Sequence, residues 1–170
     1  MLEKINYFVK NVKTDSYLEL FNKANQVCDE ILCEKLSHLG VRGYKYDPTE
    51  AIEELGLDQE LVEQLVEDYV EQVIKAIVQF EAYMKKLQNS QENHITLDYT
   101  PFRELAHKNL GVARNLRIKD AQVLLYELMK KDELEYLVEC LEALKYCAIK
   151  LKPRRAYYTI RLLEIKSNLS

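Results

Sequence analysis

Glycine and proline are scarce in this chain, four and three residues out of 170. Gly40, Gly43 and Gly56 fall at plausible breaks, and Pro48, Pro101 and Pro153 mark positions where helices start or stop. Strand-like alternation is missing too: no stretch alternates apolar and polar residues far enough to compete with the three-to-four spacing found almost everywhere. The expected fold is therefore all-α. No apolar run approaches the roughly 20 residues that a membrane span needs, so a membrane partner is not expected. Met1 is followed by Leu-Glu-Lys-Ile-Asn, with no apolar signal core and no small-residue cleavage site, and the expected location is the cytoplasm. The four cysteines, Cys28, Cys33, Cys140 and Cys147, lack zinc-site spacing and lie within helical patterns, which points to reduced, mostly buried thiols.

Positive charge is absent from one whole region. Between Asp47 and Glu71 there is no Lys or Arg, whereas the end of the chain carries Lys150, Lys152, Arg154, Arg155 and Arg161. Two solvated faces that screen each other explain this most simply, with the basic tail as a weaker candidate for docking an anionic partner. A net charge of −4 argues against general nucleic-acid binding, which depends on an excess of cations.

What is present is helical periodicity with stop and start signals. Leu2, Ile5, Phe8, Val9 and Val12 suggest a short first helix, and Ser16 with Glu19 forms a capping box for a second through Leu18, Phe21, Ala24, Val27, Ile31 and Leu36. The stretch GVRGYKYDP reads as a linker, after which Asp47, Pro48 and Glu50 open a short helix that Gly56 ends. Asp58 caps a long helix to about Leu87, carrying Leu61, Leu65, Val66, Tyr69, Val73, Ile77, Phe80 and Met84. A loop from Gln88 to Asp98, a helix opened by Thr100 and Pro101, and one from about Ile118 to Lys131 follow. Asp132 and Glu135 cap a helix ending at Lys152, and the last runs from Arg155 to about Lys166. Tyr69, Tyr126 and Tyr136 read as packing residues, not a base-stacking surface. Short connections between Asp58 and Lys152 suggest an antiparallel up-and-down four-helix bundle, with extra N-terminal helices and a C-terminal helix. The expected segments are 1–46, 47–152 and 153–170.

Gly111 is the exception among the glycines, since LAHKNLGVARNL is otherwise helical and a mid-helix glycine costs about 1 kcal/mol relative to alanine. On a helical wheel Phe102, Leu105, Val112, Ala113 and Leu116 lie opposite His107, while Arg103, Gly111 and Arg114 fall within about 40° of it. An outward imidazole over a glycine, flanked by guanidinium groups, is a place where a macromolecule can come close and a dianion can be neutralised. Glu104 and His107 also form E-x-x-H, a di-iron bundle element, but that chemistry needs a second copy and two further glutamates in the core. His38 and His94 offer no second copy.

His107, Gly111, Ala113 and Leu116 match the histidine-containing phosphotransfer (HPt) family, which this segment resembles from about Thr49 to Lys152. Three positions depart from the family pattern: Leu110 replaces its basic residue, Asn109 its apolar residue, and Arg117 the glycine after Leu116. The resemblance implies that His107 accepts phosphate from a receiver-domain aspartate and passes it to another receiver, as a carrier more than an enzyme. It implies partner docking and phosphate stabilisation by Arg103, Lys108, Gly111 and Arg114. No cofactor of its own is implied, since magnesium belongs to the receiver of the response regulator or hybrid sensor kinase. The alternative is a helical module that binds a receiver or another partner without phosphotransfer. A homodimer through the N-terminal helices is a further possibility. Asn109 points toward the core and requires an internal hydrogen-bond partner.

Overall fold

The computed structural model describes residues 16–169, which form seven α-helices and a short 3-10 turn and contain no strand. The helix expected near Leu2 to Val12 and the side-chain half of the Ser16–Glu19 capping box lie outside the described residues. The helices are α1 (Ser16–Cys33), α2 (Thr49–Leu55), α3 (Gln59–Glu92), α4 (Thr100–Asn115), α5 (Lys119–Lys130), α6 (Leu134–Leu151) and α7 (Pro153–Leu169), with the 3-10 turn at Ser37–Leu39. None is long and apolar enough to cross a membrane.

α6 organises the rest. Leu134, Leu137, Cys140, Ala143, Leu144, Tyr146, Cys147 and Ile149 bury it on nearly all sides, as expected of a helix that is apolar all round. It packs against α1, α3, α5 and α7, while α3 also meets α4 and α7, and α4 meets α5. One continuous core draws residues from α1 through α7. Each fully buried leucine in it, such as Leu137 or Leu144, contributes about 1.5–3 kcal/mol by leaving water.

Of the face the sequence suggests for α1, Ala24 and Leu36 are buried and Val27 and Ile31 pack against the core, but its centre is shifted. Leu20, Ala24, Cys28 and Leu32, spaced by four, are buried, whereas Leu18 is 46% exposed. Small residues at 24 and 28 let α1 approach its neighbours closely along that ridge. In α3, likewise, Val62 is buried and Leu61 is 44% exposed.

Helix α3 also runs past its expected end at Leu87 to Glu92. Beyond Leu87 the helix has no apolar residue, but Gln88, Gln91 and Glu92 are good helix formers, so it continues without an apolar face. It stops where His94 takes a left-handed φ of 55° and Ile95 N–H reaches back to Ser90 O at 2.8 Å. At its other end Asp58 Oδ1 accepts from Leu61 N–H at 2.8 Å, a side-chain N-cap. No comparable bond involves Asp132: α6 starts from Glu133 without a side-chain cap, and Asp132 instead offers its carbonyl to the Tyr99 hydroxyl. Tyr126 is 47% exposed and does not serve as a packing residue, whereas Tyr69 is buried and Tyr136 packs against the core.

The acidic and basic stretches meet. Lys152 pairs with Glu63, and Arg155 with Glu71 and, at 3.6 Å, Asp68, so α7 and the end of α6 are tied to α3. Hydrogen bonds from Lys75 and then Arg155 hold the Glu71 carboxyl below its ordinary range.

Candidate functional site

Helix α4 is fixed at both ends before any outward residue matters. At its start Asp98 Oδ1 accepts from Thr100 N–H at 3.0 Å, and Pro101 occupies the first turn, where it costs no hydrogen bond. Phe102, Ala106, Asn109, Leu110 and Ala113 are buried, and the Phe102 ring meets Phe80 of α3 edge-on at 5.0 Å. At its end Arg117 adopts φ 59° and Ile118 N–H bonds to Ala113 O at 3.0 Å, closing the helix in a left-handed turn. Arg117 is the position where the family resembled above has glycine. A side chain there costs about 1–2 kcal/mol, offset in part by pairing with Glu50 and Glu54 of α2 and by donation to Arg114 O.

The segment read as a linker braces this corner. Tyr46 donates to Leu116 O at 2.7 Å and Tyr44 to Arg117 O at 3.1 Å, while Tyr44 in turn accepts from Lys119 N–H. Burial pushes the Tyr46 hydroxyl up to about 12, so it remains a donor at neutral pH.

On the opposite face of α4, His107, Lys108, Gly111 and Arg114 are exposed. A Cβ built on Gly111 meets nothing within 4 Å, and its φ is an ordinary helical one, so neither packing nor backbone geometry requires glycine there. Arg103 behaves differently from the outward residue of the wheel. It is half-buried, its guanidinium lies 4.7 Å above the Tyr99 ring, and its Nε has no hydrogen-bond partner. The stacking partner explains this, because Tyr99 stands one turn earlier and is itself packed on the core. Arg114 and Lys108 carry no comparable restraint.

Asn109 is 1% exposed and fully partnered: its Oδ1 accepts from Gln72 Nε2 of α3 at 3.2 Å and its Nδ2 donates to Leu105 O at 2.9 Å. Gln72 was not singled out by periodicity, although it follows buried Tyr69 by three residues in α3. Leu110 is also 1% exposed, packed in the core.

The remaining histidines are placed elsewhere. His38 hydrogen-bonds the Tyr136 hydroxyl at 3.0 Å, and His94 sits in the left-handed turn after α3. Glu104 and His107 both face solvent, the wrong direction for a metal centre inside a bundle. Among the described residues no group of three or more His, Cys, Asp or Glu side chains is arranged to hold a metal. No protein-family model matches the chain, and no curated protein or solved structure is significantly similar to it.

Proposed function

We propose that this chain is a phosphoryl carrier of the HPt class, taking phosphate on His107 from a receiver-domain aspartate and delivering it to another receiver. The observation that carries the reading is the pairing of an exposed His107 with an exposed Gly111 that nothing in the fold requires. In this reading α3, α4, α5 and α6 are an antiparallel up-and-down four-helix bundle, supported by the closed cycle of contacts α3–α4–α5–α6–α3. The left-handed turn at Arg117, where the family has glycine, fits the same backbone.

The imidazole nitrogen attacks phosphorus, an N–P bond forms as the acyl phosphate P–O bond breaks, and the aspartate carboxylate leaves. The transition state is loose and in line, so its charge must be held by cations, and the magnesium and acids for that belong to the receiver. Arg114 and Lys108 supply positive charge from this side, and Gly111 provides the clearance that lets the receiver loops reach the imidazole. The cytoplasm, where such relays operate, is the compartment that goes with this role.

One observation favours the second reading, a binding module without transfer: Leu110, at the family's basic position, is buried and cannot contact a phosphate. The two readings separate on incubation with a phosphorylated receiver domain. Transfer yields an acid-labile, alkali-stable phosphate on this chain, whereas a binding module forms the complex and stays unlabelled.

A further inference from the structure

A cavity of about 540 Å³ is bordered by Phe21 and Asn25 of α1, Asp120 of α5, and Cys147 and Lys150 of α6. None of His107, Gly111 or Arg114 lines it. Cys147, 7% exposed, is at its wall, and Cys28 of α1, with no exposure, lies against Cys147. Their sulfurs are 3.2 Å apart in a contact in which either can be the donor. A disulfide measures about 2.05 Å, so the sulfurs have only about 1 Å to travel, across 119 residues of sequence.

We propose that Cys28 and Cys147 form a dithiol oxidised by hydroperoxides that enter this cavity, and that the resulting disulfide clamps α1 to α6. Only Cys147 meets the cavity, so Cys147 is the sulfur attacked first by oxidant and Cys28 is the resolving thiol. The hydrogen bond with Cys147 holds Cys28 below the ordinary thiol range against the opposing effect of burial, and the Lys150 ammonium adds to this. The same contact, together with burial and the Asp120 carboxylate, pushes the Cys147 thiol up, so the pair's proton rests on Cys147; it passes to Cys28 along the sulfur–sulfur contact when peroxide reaches Cys147 from the cavity. Asp120, which interacts directly with the Cys147 thiol, is at hand to take the proton that leaves.

The Cys147 thiolate then attacks hydrogen peroxide: an S–O bond forms, the O–O bond breaks, and hydroxide departs as water with the proton held by Asp120. The Cys28 thiol attacks the sulfenic sulfur of Cys147, an S–S bond forms, the S–O bond breaks, and a second water leaves with the Cys28 proton. Two thiols and one peroxide become one disulfide and two waters. The other cysteines lack this arrangement: Cys33 has no sulfur partner, and burial pushes the Cys140 thiol up to about 12.

The test uses the intact, reduced chain exposed to hydrogen peroxide, alkylated under denaturing conditions and mapped by mass spectrometry. The expected product joins the Cys28 and Cys147 peptides with the loss of two hydrogens, while Cys33 and Cys140 are alkylated. In Cys28→Ser, Cys147 stops at a sulfenic acid that dimedone traps; in Cys147→Ser, Cys28 stays a thiol. Oxidation of the more exposed Cys33 ahead of the pair overturns the proposal, as does a cross-link between two chains. Undiminished oxidation of Cys28 in Cys147→Ser also overturns it. The wild-type map requires no variant to fold.

Discussion

Gln72 of α3 donates to the buried Oδ1 of Asn109 in α4 at 3.2 Å, and this bond, with the one from Asn109 Nδ2 to Leu105 O, lets a polar residue occupy the inward face of the helix that carries His107. Removing the donor leaves a buried acceptor one partner short, a loss of about 1–3 kcal/mol. Gln72→Ala should therefore lower stability in denaturant unfolding by that order. The same change in an Asn109→Leu background should cost far less, because no buried acceptor is left behind. Equal costs in both backgrounds would mean that Gln72 acts through packing alone.

At Arg117 two effects oppose each other. Glycine relieves the left-handed backbone but gives up the pairing with Glu50 and Glu54, which at this exposure is worth about 0–1 kcal/mol. Arg117→Gly should thus change stability by less than about 1 kcal/mol, whereas Arg117→Val keeps the strain, loses the pairs and should cost more than 1 kcal/mol. Thermal melting of both variants checks the order.

Gly111 separates folding from docking. Since a Cβ there meets open space, Gly111→Ala should raise stability by up to about 1 kcal/mol through helix propensity. Gly111→Gln should leave the fold intact yet weaken binding to a receiver domain, measurable by calorimetry. Unimpaired receiver binding by Gly111→Gln would remove the reason offered for the glycine.

The cations around His107 are unequal in a way the helical wheel did not reveal. Arg114 is exposed and Arg103 is stacked on Tyr99, so Arg114→Ala should slow phosphotransfer without affecting melting, and Arg103→Ala should also lower stability. A charge-assisted contact of about 1.5–3 kcal/mol made mainly in the transition state corresponds to roughly one to two decades of rate. Leu110→Lys should not rescue either variant, because position 110 lies in the core and a lysine there is forced into apolar surroundings. Single-turnover transfer rates together with melts distinguish these outcomes.

Periodicity and caps made much of this fold legible in the sequence. Asp58, the break at Gly56, the proline that opens α7 and the buried face of α4 are all local signals, and helices obey local signals. The end of α3 was not legible, since residues 88–92 continue the helix by propensity and supply no apolar stripe. Nor was the centre of the inward face of α1, where choosing Leu20 over Leu18 depends on what α6 and α7 present to it. Contacts between distant residues were also silent: Tyr44 and Tyr46 bracing the α4–α5 corner, Gln72 serving Asn109, and Cys28 meeting Cys147 all arise only once the helices pack. His107 and Gly111 stood out because an exposed helical glycine is a local oddity.

The most direct measurement is the transfer of labelled phosphate from a phosphorylated receiver domain to the wild-type chain and to His107→Gln. His107 is exposed, so the substitution should leave helicity and melting unchanged. The wild type should gain an acid-labile, alkali-stable phosphate and His107→Gln should gain none. A wild-type chain that stays unlabelled while binding the receiver, or a His107→Gln chain labelled as fully as the wild type, would contradict phosphotransfer through His107.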